Sequence, residues 1–160
     1  MAIFDVYGEL EDAASLTVTR ASTDIIDLTQ YDKSFGVASG NLYLNITCNT
    51  TFDSTNDTGT LTIALCKDIV APIDGSSTVI YQTPAFAIGS AALTAYDGKG
   101  NGQILCMPLP AEVDDVASGS AIIGLYYTVG TQSMTAGAID AWVGPPMSSR
   151  YDTQVASSNV

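Results

Sequence analysis

Residues that could do covalent or acid–base chemistry are scarce in this chain and poorly spaced for it. None of its 160 residues is His, so neither a Ser-His-Asp nor a Cys-His site has its base. A Ser-Lys pair could draw on Lys33, Lys67 and Lys99, but none stands in an S-x-x-K spacing. Cys48, Cys66 and Cys106 each lie in an apolar run without a C-x-x-C spacing. They read as small buried hydrophobes with free thiols rather than as zinc ligands.

Carboxylates remain. The stretch "DSTNDTG", Asp53 to Gly59, offers oxygens that a calcium ion would accept, but it lacks the third-position carboxylate and the closing Glu of an EF-hand loop. It reads as a turn. "DGKGNG", Asp97 to Gly102, resembles a phosphate loop only superficially: it lacks a GKS or GKT ending and leads into a strand rather than a helix. Asp114 and Asp115 follow "PLPAEV" as a solvated turn. A glycosidase needs two acids at a set separation, one with a raised pKa, and acids in turns stay ordinary. The expectation is a protein that is not an enzyme and that uses no cofactor and no metal.

The elements that carry these residues follow a period of two. In "NLYLNITC" Leu42, Leu44, Ile46 and Cys48 share one side and Tyr43, Asn45 and Thr47 the other, as in a half-buried strand. "TLTIALCK" repeats the pattern with Leu61, Ile63 and Leu65 inward, and the polar stretch Asn49 to Gly59 between the two suggests a hairpin with a long loop. "SLTVTRAS", "TDIIDL", "STVIYQ", "GQILCMPL", "AIIGLYYTV" and "AGAIDAWV" add six more. "AFAIGSAALTAY", broken by Gly89 and Ser90, is given at most one helical turn. About eight short strands with little or no helix predict an all-β fold: an antiparallel β-sandwich, jelly-roll-like. Residues 1–144 form one domain. Gly-Pro-Pro then stops the last strand, and residues 145–160 follow as an extended tail.

Charge narrows the partners. Asp and Glu number 17 against 5 Lys and Arg, a formal net charge of -12, so a polyanion such as nucleic acid is repelled. The same sign and the lack of a basic amphipathic stretch disfavour an anionic membrane surface. "MAIFDVYGELEDAA" has no basic n-region and no apolar h-region, which makes synthesis in a cytoplasm the expectation. The sequons at Asn45, Asn49 and Asn56 receive no function without a secretory signal.

One stretch does not fit a simple sandwich. "LYYTVGTQSMTAGAIDAWVG", Leu125 to Gly144, reads as two strands around a turn, with Tyr126 beside Tyr127 and with Trp142 facing away from Ile139. Either the rings fill the core, or a second apolar face meets another subunit. Tyr126, Tyr127 and Trp142 are therefore candidate subunit-interface residues.

Across Glu9 to Gly144 the chain resembles the capsid cement, or decoration, proteins of tailed bacteriophages. That family carries an A-S-T-x-x-I-D-L segment near its start, a V-x-T-x-F strand end, a segment like L-P-L-P, and a closing Y-T-V-G-G-x-x-T-x-G hairpin, whose T-x-G stands one residue later in this chain. The first is matched at Ala21 to Leu28 and the last across Tyr127 to Gly137, with Thr131 in place of the second Gly and Cys106-Met107 ahead of Pro108. The resemblance implies a jelly-roll-like sandwich, assembled as a homotrimer on the outer surface of the virion and bound to the major capsid protein. Which residues would touch the capsid is unknown from the sequence. A carbohydrate-binding sandwich on a fibre or host-facing surface is the alternative, since such modules also use Tyr and Trp on strands; against it, Trp142 is single.

Overall fold

Alternating side chains bury one face of each strand, so two such sheets close on each other. A computed structural model of the chain describes residues 8–28, 42–97, 100–110 and 122–147. They form β1 (Glu9–Ser15), β2 (Arg20–Ala21), β3 (Ile26–Asp27), β4 (Tyr43–Ser54), β5 (Thr60–Asp68), β6 (Thr78–Gln82), β7 (Phe86–Ala87), β8 (Gln103–Pro108), β9 (Ile122–Gly130) and β10 (Met134–Gly144). One 3-10 turn, Ala91–Leu93, precedes β8, the single turn expected of that stretch.

Every pairing is antiparallel. One sheet has the order β1-β10-β4-β8, and the other β2-β9-β5-β6, with β3 also on β9 and β7 also on β5. With β2 and β3 counted as one broken strand, and β6 and β7 as another, eight remain. They pair first with last, second with seventh, third with sixth and fourth with fifth. That wrapped order is a jelly roll, and the protein is an all-β sandwich.

Between the sheets lies one apolar core. Leu44, Ile46, Cys48 and Phe52 of β4 meet Leu61, Ile63 and Leu65 of β5, Ile123, Leu125 and Tyr127 of β9, and Ile139, Ala141 and Val143 of β10. The inward residues read from "NLYLNITC" and "TLTIALCK" are buried there, with Leu42 only partly so.

Two hairpin expectations are corrected, one strand is unexpected, and of "SLTVTRAS" only Arg20–Ala21 forms a strand beyond the end of β1 at Ser15. β4 and β5 are not a hairpin, because they lie in different sheets, and β4 runs on to Ser54 before a tight turn in which Asp57 N–H donates to Ser54 O at 3.1 Å. Nor are β9 and β10 a hairpin: β9 pairs with β5 at the centre of one sheet, and β10 pairs with β4 in the other. β1, "ELEDAAS", is a strand that alternation does not announce, since its charged residues outnumber its large apolar ones. Lys33, Lys99, Asp114, Asp115 and most of the tail lie outside the described residues.

The β9–β10 crossing explains the closing motif. Gln132 N–H donates to Gly130 O at 2.7 Å, so a three-residue turn spans Thr131, whose φ is +63°. A β-branched residue is costly there, and it stands where the resembling family has glycine. Gly137 has φ +143°, and a Cβ on it would sit 2.2 Å from the Phe52 ring. Thr131→Gly should therefore stabilise the fold by about 1 kcal/mol, whereas Gly137→Ala should cost about 2–4 kcal/mol through overpacking and backbone strain. Urea denaturation at unchanged m value checks both.

Candidate functional site

Glu11 of β1 is 1% exposed, and a carboxylate so placed must be paired and hydrogen-bonded. Arg20 of β2 supplies both nitrogens of its guanidinium, Nη1 to Oε2 at 2.9 Å and Nη2 to Oε1 at 3.2 Å. Thr23 adds two donors: its hydroxyl to Oε1 at 2.6 Å and its backbone N–H to Oε2 at 3.2 Å. Four donors saturate the carboxylate. Arg20 also donates to Ala21 O at 2.8 Å and Ser15 O at 3.1 Å, and its Cζ stands 5.4 Å from the centre of the Tyr127 ring, a cation–π distance.

Because β1 and β2 belong to opposite sheets, this cluster bridges the sandwich along one side. The A-S-T-x-x-I-D-L segment builds it. Thr23 binds Glu11, while Ser22 N–H donates to Leu125 O at 2.8 Å and Leu125 N–H donates to Ser22 Oγ at 3.0 Å. Ile26 enters the core. Sequence reasoning missed Glu11 and Arg20, although Arg20, one of only 5 basic residues, lies within the segment "SLTVTRAS" read as a strand.

The three proposed interface residues separate. Tyr127 is fully buried inside the single chain, leaving its ring no surface for a neighbour. Its hydroxyl forms no hydrogen bond of sound geometry, although it interacts with the Glu11 carboxylate. Burial pushes its pKa well above the usual phenol range; the Glu11 charge adds to this and Arg20 opposes it. Tyr126 lies on the other face of β9, against a second apolar cluster of Ala64, Cys66, Ile73 and Ile122. Trp142 faces out of β10 and is half-buried, as its opposition to Ile139 implies.

That second cluster accounts for a strand that is apolar on both faces. The connection after β5 folds back so that Ile73 covers the outer side of the sheet. A Cβ on Gly124 would lie 2.9 Å from Ile73 Cγ1 and 3.2 Å from Ile25 Cγ2, so only glycine admits this cover. On the other sheet, Asn45 of β4 holds the chain beyond β10. Its Nδ2 donates to Pro145 O at 3.0 Å, and Met147 N–H donates to its Oδ1 at 3.1 Å. The expected extended tail therefore begins docked on its own sheet.

Carboxylates act locally. Asp97 accepts from Asn101 N–H at 3.1 Å and from its Nδ2 at 2.8 Å. Asp140 accepts from Ala13 N–H at 2.8 Å and Asn49 Nδ2 at 3.0 Å. Glu9 titrates above its usual range through burial and the nearby Asp12, Asp24 and Asp140 charges. The cysteines are free thiols, and burial pushes both Cys48 and Cys66 up to about 11.

Comparison with known families matches residues 10–143 to Bbp16. The chain belongs to the Bbp16 family. No curated protein matches it. The family's span opens at Leu10, beside the ionic bridge, and closes at Val143, the last inward residue of β10.

Arg20→Met should cost about 3–5 kcal/mol by leaving a buried carboxylate unpaired, and adding Glu11→Gln should recover part of it, as a double-mutant cycle in urea would read. Alkylation of the native protein near pH 8 should label the partly exposed Cys106 and spare Cys48 and Cys66, whose thiols are buried and protonated there. In denaturant without reductant all three should label, as counted by mass spectrometry.

Proposed function

We propose that this protein is a virion structural protein, a capsid cement protein that binds the outer surface of an assembled major capsid protein shell and stabilises it against internal DNA pressure. It is made in the host cytoplasm and acts as a homotrimer. The observation that carries this reading is the ordered resemblance from Ala21–Leu28 to Tyr127–Gly137. Its residues include those that hold the jelly roll together: Ser22 and Thr23 at the bridge, Tyr127 in the core, and Gly137 against Phe52.

The mechanism is linkage. A protein that binds the assembled lattice more tightly than free subunits shifts the equilibrium toward the shell. Three modest sites in one rigid trimer add avidity without new contacts. A net charge of -12 suits the outside of a shell, away from genome phosphates. With Tyr127 in the core, Tyr126 and Trp142 remain the candidate interface residues.

The test mixes the purified protein with empty shells of a matching major capsid protein. Density reconstruction should show ordered copies at three-fold or quasi-three-fold positions, and light scattering of the free protein should give about three times its 16.6 kDa chain mass. Bare shells would end the capsid reading. Strong hits on a glycan array together with bare shells would favour a carbohydrate-binding module. Trp142→Arg should lower the oligomer mass while the circular dichroism stays that of strands.

A further inference from the structure

Among the described residues, three of the five large exposed apolar side chains belong to the β5–β6 connection and the strand that follows it: Ile69 at 62%, Val70 at 66% and Val79 at 51% exposure. Ile69 and Val70 directly follow β5, and Val79 on β6 pairs in register with Cys66. Cross-strand partners point to the same face, so Val79 continues the outer apolar cluster of Cys66 and Ile73 into solvent. Ser77 ties the two ends of the connection together, its hydroxyl donating to Asp68 Oδ2 at 2.6 Å. The patch therefore stands on a braced turn over a packed cluster.

Its rim is acidic. Asp68 also accepts Ile69 N–H at 2.7 Å, and Asp74 accepts Ser76 N–H at 2.7 Å and the Ser76 hydroxyl at 2.6 Å. These bonds hold both carboxyls below their usual range, Ser77 first at Asp68 and Ser76 first at Asp74. Lys67, the cation of β5, pairs in register with Ile123 and so belongs to the face opposite Val79.

We infer that the β5–β6 connection, with Ile69, Val70 and Val79 inside a rim of Asp68 and Asp74, is a docking surface for a protein partner whose apolar contact is flanked by Lys or Arg. A second copy of this chain does not fit. Two like patches face to face would set acid rim against acid rim, and the contacts of the proposed trimer are assigned to Tyr126 and Trp142 instead. A basic-flanked partner would bury the apolar centre and neutralise the rim together. This inference rests on the capsid reading, and it names the face that would meet the shell.

The test is co-sedimentation with the same assembled shells at low and high salt, beside light scattering of the free protein. Ile69→Lys with Val70→Lys should weaken binding about tenfold or more, and Val79→Lys should act in the same direction. Ile69→Glu with Val70→Glu should lose less, and Val18→Lys, at a separate exposed position between β1 and β2, should bind like wild type. Wild-type binding should weaken with salt, and circular dichroism should stay unchanged throughout. If wild type binds and the Lys variants bind equally well, the face is wrong while the capsid reading stands. Equal losses from Lys and Glu would overturn the basic partner. A Lys variant that lowers the mass of the free protein would make the patch a contact between copies and also overturn it. If wild type fails to bind at all, the capsid reading falls and this inference with it.

Discussion

A sandwich whose sheets are joined mainly by crossings must be closed along its open sides, and here one side is closed by an ion pair. Glu11 hangs from the edge strand of one sheet and Arg20 from the edge of the other. The Glu11 carboxylate is dry while the Arg20 side chain stays 25% exposed, so the worth of the pair lies less in net stability than in the penalty for any arrangement that strands the buried charge. Everything at that edge is set by this demand. Thr23 is placed to give two hydrogen bonds, the Arg20 guanidinium stands over the Tyr127 ring, and the Tyr127 hydroxyl forms no hydrogen bond of sound geometry. The opposite side is closed by apolar packing. The turn Ala91–Leu93 packs against β4, β7 and β8, and Leu93 enters the core.

The aromatic pair on β9 follows from the same geometry. β9 is an interior strand, with β2 and β3 on one flank and β5 on the other, so both of its faces need cover. The inner face, with Ile123, Leu125 and Tyr127, takes the core. The outer face, with Ile122, Gly124 and Tyr126, takes Ile73 and Ile25. A strand that looked too apolar for one sandwich is satisfied largely within its own chain. The apolar surface left over stands beyond that cover, at Ile69, Val70 and Val79.

Alternation made the central strands legible, because burial on one face imposes a period of two on Leu44, Ile46 and Cys48 and on Leu61, Ile63 and Leu65. It could not say which strand pairs with which. Adjacent strands invite a hairpin reading, whereas a jelly roll sends neighbours such as β9 and β10 to opposite sheets. β1 was hidden for a different reason. Its inward carboxylate is tolerable only because Arg20, nine residues on, lies in the facing sheet, and that juxtaposition is tertiary. Of the three aromatic candidates, Trp142 showed its direction in the alternation of β10. The fates of Tyr126 and Tyr127 depended on covering segments that carry no period of their own.

Over the described residues, this architecture leaves few surfaces for recognition. The core uses the inner faces, the ionic bridge closes one side, and the turn at Leu93 closes the other. On the outer faces, the segment carrying Ile73 covers part of one sheet, and the chain held by Asn45 covers part of the other. A jelly roll built this way is a stiff body whose free chemistry is concentrated in connections, as is usual when one fold serves many roles. Of those connections, the one between β5 and β6 joins exposed aliphatic side chains to carboxylates already fixed by hydrogen bonds. A partner there would have little order left to impose on the turn, so more of the contact energy would appear as affinity.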